Sequence, residues 1–136
     1  MNTYKSRISI DPSLSVAYDI AEDSYIVYCI EELKNTIKTH LRQNKNDKMS
    51  PILRTTLPLL QSILFDMNSI EFINFTQTLK SRLEIMTEYF KLVVLSFTTL
   101  LTMYGSNTKI NDIPIKSLLD ISIATKERFD SHISAI

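Results

Sequence analysis

LKSRLEIMTEYFKLVVLSFTTLLTMY, residues 79–104, decides the fold. Leu79, Leu83, Met86, Phe90, Val93, Phe97, Leu100 and Tyr104 follow one another at alternating steps of four and three. At 3.6 residues per turn, that spacing stacks every one of them on a single helix face. Phe72 and Phe75 extend the face backward, and Asn68-Ser69-Ile70-Glu71 has the form of a capping box ahead of it. Neither Gly nor Pro interrupts before Gly105, the only glycine in the chain, which stands where a left-handed helix terminator belongs. One unbroken helix over residues 69–104 would be roughly 50 Å long.

The second half of this helix is unusual on its other side. Leu92, Leu95, Thr98, Thr99, Thr102 and Met103 carry no charge. A helix uncharged all round is expected to be buried on several sides. Its apolar stretch is shorter than the roughly 20 residues a membrane span needs and it contains several hydroxyls, so no membrane crossing is expected.

Outward from this helix, both flanks are helical in pattern. After it, residues 105–112 (GSNTKIND) form a turn. Asp112 and Pro114 then open a last helix to about Ser134, with a stripe of Ile115, Leu118, Leu119, Ser122, Thr125, Phe129 and Ile133. Before it, Ser50-Pro51 opens a helix whose Leu53, Leu57, Leu60, Leu64 and Met67 share a face. Pro58 should kink that helix or begin its main part, because proline removes a donor and crowds the preceding turn.

Residues 43–50 (QNKNDKMS) are a polar linker. Asp11-Pro12 starts another helical pattern that runs to about Gln43. Its apolar side changes partway: Leu14, Tyr18, Ala21, Tyr25 and Cys29 come first, then Ile26, Ile30, Leu33, Ile37 and Leu41 on nearly the opposite side. Either the helix breaks near Asp23-Ser24, or one helix contacts two bodies. Residues 1–11 are expected to be an extended arm ahead of a single helical domain, 12–136. The expected fold is all-α: an elongated bundle of four to five helices around one long central helix.

Bulk properties narrow the function. The chain has 136 residues, 44% of them hydrophobic, enough for one packed core. Fifteen acids balance fifteen bases, so nothing draws the chain toward nucleic acid or an anionic membrane. Cys29 is the sole cysteine, which excludes an intramolecular disulfide and a cysteine-based zinc site. A reduced thiol suits the cytoplasm or nucleus, and no apolar run follows Lys5 and Arg7 to suggest a signal peptide.

Chemical motifs are missing. His40 and His132 sit in no ligand spacing and read as surface histidines. The carboxylate pairs Asp19/Asp23 and Glu84/Glu88 lack the histidine that a di-metal bundle site adds, so they read as solvated faces. The basic ladder Lys34, Lys38, Arg42, Lys45 and Lys48 reads the same way, helped by the helix dipole. Cys29 reads as a small buried hydrophobe. No catalytic, cofactor or metal residue and no small-molecule substrate is expected.

The residues left over are apolar and suit docking to protein. Tyr18, Tyr25 and Tyr28 form an aromatic face, and Leu92, Leu95 and Met103 belong to the uncharged half of the long helix. These six are the expected partner-binding residues. They point to a non-enzymatic helical subunit or adaptor, bound to a protein partner or to its own copies. The central all-round apolar helix resembles in architecture the Bcl-2-like regulators, including those of large DNA viruses. That resemblance implies capture of an amphipathic helix in a groove, although an Asn-Trp-Gly-Arg type motif and any tryptophan are missing. An enzyme with a site assembled from distant helices is the remaining alternative.

Overall fold

The computed structural model of the protein describes residues 12–44, 47–68 and 76–134. Among them are five helices and one short hairpin: α1 (Pro12–Ala21), α2 (Ser24–Gln43), α3 (Ser50–Asn68), α4 (Thr76–Tyr104), β1 (Lys109–Ile110), β2 (Ile113–Pro114) and α5 (Ile115–Ile133). The protein is an all-α bundle. The expected arm over residues 1–11 and the start of the long helix before Thr76 lie outside the described residues. Asn68, expected to cap the long helix, is instead the last residue of α3.

Packing runs around a ring, α2 against α3, α3 against α4, α4 against α5 and α5 back against α2. Neighbours in this ring run antiparallel, as the contacts at its two ends show. At one end, Tyr104 at the close of α4 donates to the Lys48 carbonyl in the α2–α3 connection (3.3 Å). At the other, Asp66 late in α3 meets Arg82 early in α4, and Asp23 before α2 meets Arg128 and His132 late in α5. Short α1 packs on α3, α4 and α5 and adds Val16, Tyr18 and Ile20 to the core.

The core is built by the stripes that the spacing picks out. Leu83, Met86, Phe90, Val93, Phe97 and Leu100 of α4 are all buried, as are Leu53, Leu60, Leu64 and Met67 of α3. Phe90 stacks obliquely on Phe129 of α5, ring centroids 4.8 Å apart. Burying a Phe or Leu side chain is worth about 2–3 kcal/mol, so these rows dominate the stability of the bundle.

Residues 12–43 form two helices. Asp23 has extended backbone (φ −77°, ψ 95°), and its Oδ1 accepts from the Tyr25 and Ile26 N–H groups at 3.1 and 3.4 Å. This cap explains why the apolar side changes: the chain turns at Asp23, and both stripes then face one core. Tyr18 is therefore interior, only 8% exposed. Its expected place on a docking face is corrected, since the bend at Asp23 swings it inward.

Three local expectations also change. α3 runs through Pro58 as one helix, with the ring on its exposed side, so its main part does not begin there. The Ser50 hydroxyl donates back to the Asn44 carbonyl (3.0 Å), while Asp47 Oδ1 accepts the Met49 N–H (2.8 Å) and serves the helix start instead. The α4–α5 connection is more than a turn: β1 pairs antiparallel with β2 in the register Ile110↔Ile113. Asn111 (φ 48°) and Asp112 (φ 65°) make its tip. Two successive left-handed residues define the tight hairpin turn whose twist suits paired strands, and Asn and Asp tolerate that conformation best after Gly. Pro114 consequently precedes the first turn of α5 instead of opening it.

Candidate interaction surfaces

Each end of the bundle is tied by a polar cluster built around a buried side chain, and both histidines belong to these ties. His40, near the end of α2, is buried. The Asn111 N–H at the hairpin tip donates to its Nδ1 (3.1 Å), leaving Nε2–H to face Asp47 Oδ2 at 3.1 Å. One ring thus joins α2, the α2–α3 connection and the hairpin. His132 Nε2 lies 2.8 Å from Asp23 Oδ2, and Arg128 Nε donates to the same oxygen at 2.6 Å. His40 is not the surface residue expected, while His132 is partly exposed and tied to Asp23. Their partners lie far off in sequence, which is why spacing along one helix could not reveal them.

The Asp23 carboxyl is pushed up by burial, but hydrogen bonds from Arg128, His132 and the Ile26 N–H outweigh that and lower its pKa to about 2. It therefore accepts these hydrogen bonds as a carboxylate. Its expected pairing with Asp19 as a solvated face is corrected: Asp19 is exposed and Asp23 is not. Asp66, at the same end, is pushed up by burial despite the Arg82 guanidinium 2.7 Å away. Every buried side-chain polar atom among the described residues has a partner, and no group of three His, Cys, Asp or Glu among them could hold a metal ion. Cys29 is buried, shares a hollow with Glu32, Leu33 and Thr36, and meets the Tyr25 side chain. Asp23, Asp66, His40 and His132 hold neighbouring elements together.

Several large apolar side chains are exposed. Leu92 (45%), Leu95 (58%) and Met103 (57%) of α4 are open to solvent. The expectation that this half would be buried on several sides is not met among the described residues, which leave these side chains exposed. Their hydroxyl neighbours do not make the surface polar. Ser96 donates to the Leu92 carbonyl, Thr98 to Val94, Thr99 to Leu95 and Thr102 to Thr98, at 2.8–2.9 Å. Each hydroxyl is turned onto its own helix. By length and composition alone, Ser81–Tyr104 is apolar enough to cross a membrane, with a mean hydropathy of 1.3. The same helix, however, supplies the central row of the core.

α3 lies beside this surface, and the two helices enclose a groove. One part, about 400 Å³, has Ile52, Leu59, Leu92 and Leu95 on its walls. The other, about 470 Å³, has Pro58, Phe65, Ile85 and Tyr89, with Asp66 and Arg82 at its far end. Because α3 and α4 are antiparallel, the two parts follow one another along the same helix pair. Phe65, Pro58 and Ile85 were not anticipated as surface residues. The signal was available in their offset from the Leu53–Met67 and Leu83–Leu100 stripes.

On the opposite side of the ring, α2 and α5 frame a smaller hollow of about 150 Å³ that includes Tyr28, Cys29, Leu33, Leu118 and Ile121. Tyr28 stands 64% exposed. Tyr25 is also open, but its ring packs under Arg128, 4.9 Å from the guanidinium carbon. Of the basic ladder, Lys34 pairs with Glu31, Lys48 lies over the Tyr104 ring, and Lys38 and Arg42 are exposed. Lys45 lies outside the described residues.

No protein-family model, no curated protein and no solved structure matches the chain. The resemblance of the central helix to Bcl-2-like regulators therefore gains no support from a relative.

Proposed function

We propose that this protein is a non-enzymatic helical subunit or adaptor of a larger assembly, bound to protein partners through apolar helix faces. The observation that carries the proposal is the pair of apolar surfaces on opposite sides of the ring. Leu92, Leu95, Met103, Phe65 and Ile85 stand open on the α3–α4 side, and Tyr28 and Tyr25 on the α2–α5 side. Apolar residues scattered singly are ordinary, whereas rows aligned along a groove mark interaction sites. Charge supports the same reading: a chain with no net charge has little electrostatic protection against association. Two faces on opposite sides suit a piece that joins neighbours.

The test is the mass of the native assembly. Tagged chain from its natural source should travel as a complex larger than 15.7 kDa, with defined partners at fixed stoichiometry. Leu95→Lys or Tyr28→Lys should release partners while the monomer stays folded. A monodisperse monomer that brings down nothing would overturn the proposal.

A further inference from the structure

The two histidines hold their partners in opposite senses. At His132, Nε2 meets the Asp23 carboxylate (2.8 Å), an acceptor, so this contact strengthens when the ring takes a second proton. At His40, the Asn111 N–H is aimed at Nδ1 (3.1 Å), so that nitrogen carries no proton. Nε2 then carries the hydrogen and gives it to Asp47 Oδ2 (3.1 Å). A protonated imidazole has a hydrogen on both nitrogens and no acceptor left. It can keep Asp47, with the bond now charge-assisted. It cannot accept from Asn111.

What the Asn111 bond holds is small and well defined. Behind the tip, the hairpin has anchors of its own: Ile110 is fully buried, and the Ile115 N–H donates to the Thr108 carbonyl (2.9 Å). The tip itself, Asn111 and Asp112, has left-handed backbone at φ 48° and 65°, which residues with a Cβ adopt at a cost. His40, by contrast, is buried on α2, and Asp47 is fixed in turn because its Oδ1 accepts the Met49 N–H at 2.8 Å. When the acceptor is lost, the tip is the side that yields. Ile113 follows the tip directly and walls the α2–α5 hollow together with Tyr28, Leu118 and Ile121.

We propose that His40 is a proton-operated latch on the hairpin tip. Neutral, it holds Asn111 and keeps Ile113 against the α2–α5 surface. Protonated, it keeps Asp47, releases Asn111 and lets that wall of the surface loosen. One of the two docking sides thereby becomes sensitive to pH, and this consequence rests on the adaptor reading. Of the surrounding charges, Asp47 faces the ring and Lys48 is drawn over the Tyr104 ring of α4. Lys109 and Asp112 of the hairpin and Arg54 of α3 are exposed. A proton on Nδ1 and a hydrogen bond from Asn111 exclude each other, so falling pH drives the tip from held to released. The opposite end stays tied: Asp23, with a pKa of about 2, remains ionised where imidazoles ordinarily titrate.

The test is an NMR titration of the full chain from about pH 8 to about pH 5. At the upper end, the His40 ring should show a bare Nδ1 and a protonated Nε2. As the ring takes up its proton, the Asn111 amide and the Ile113 methyls should shift with the same midpoint. Protection of the Asn111 amide against exchange should fall at least about tenfold, while signals of the buried Phe97 and Leu53 stay in place. Two variants separate the ring nitrogens. In His40→Asn, the side-chain oxygen stands near the place of Nδ1 and accepts at any pH, so the tip should stay held without titrating. In His40→Gln, the amide nitrogen reaches toward Asp47 and the Asn111 N–H loses its acceptor, so the tip should be released at every pH. His132→Gln should leave the Asn111 midpoint unchanged. The parent titration needs no variant and decides the matter even if a substitution unfolds the chain.

A proton on Nδ1 at the upper end of the range would overturn the latch. So would a tip that stays still while the ring is protonated, a tip that still titrates in His40→Asn, or core signals that move together with the tip. All of these are read on the isolated chain. The adaptor reading fails separately, on the native mass.

Discussion

Val93 and Phe97 on α4 are almost wholly hidden, while Leu92 and Leu95, their neighbours along the same chain, stand about half in solvent. The residue types are alike and so is the backbone. What differs is the neighbour each side meets: α1, α3 and α5 on the inside, and among the described residues no helix laid over the outside. Hydrophobic stabilisation follows area removed from water, so the inner side holds the fold together and the outer side is free to hold something else. Apolar character alone therefore does not say what a residue is for. The phase of the residue on its helix does.

The strongest way to break this division is from within. Phe97→Ala should cost about 3–5 kcal/mol, since the site is fully buried and closely packed. Urea denaturation measures it, and a loss below about 1 kcal/mol would mean that the inner side is not the core. Next comes Asp23, a buried polar group at one end of the bundle. Asp23→Ala removes the α2 cap and the Arg128 and His132 ties and should cost about 2 kcal/mol near neutral pH.

That contribution depends on pH in one direction. The folded-state pKa of about 2 lies below the ordinary 3.8. The stabilisation is therefore complete above about pH 4 and drains away as pH falls toward 2. Melting curves of parent and variant should converge over that window, and a gap that stays constant would assign the cost to the cap alone.

The outer side predicts smaller effects, some of opposite sign. Pro58→Ala restores a backbone donor on the exposed side of α3 and should raise stability by about 1–2 kcal/mol, read by thermal unfolding. A decrease would show that the ring packs on something the helix needs. Leu95→Lys should move stability by no more than about 0.5 kcal/mol, while abolishing any partner binding that uses the α3–α4 side. If it unfolds the protein, the outer side belongs to the core after all.

How much of this was legible depended on distance along the chain. The α3 and α4 stripes are local patterns, and spacing alone places their inner residues. Asp23 was readable as one of two outcomes, because a cap and a continuous helix share the same local residues. The hairpin could have been read from Ile110-Asn111-Asp112-Ile113, two polar residues suited to left-handed backbone between two β-formers. His40 and His132 were out of reach: their partners Asn111 and Asp23 lie 71 and 109 positions away. Whether the Leu92–Leu95 side would be covered was equally undecided, since periodicity reports which residues share a face and not how many neighbours that face finds.

The back-bonded hydroxyls of α4 have a chemical consequence of their own. With each oxygen committed to a carbonyl four residues earlier, Thr98, Thr99 and Thr102 show the world mainly their methyl groups. Exchange of these threonines for valine, an isostere without the hydroxyl, should pass unnoticed by anything that docks there. Hydropathy scales count such residues as water-loving, so this strip of α4 is oilier than its letters suggest.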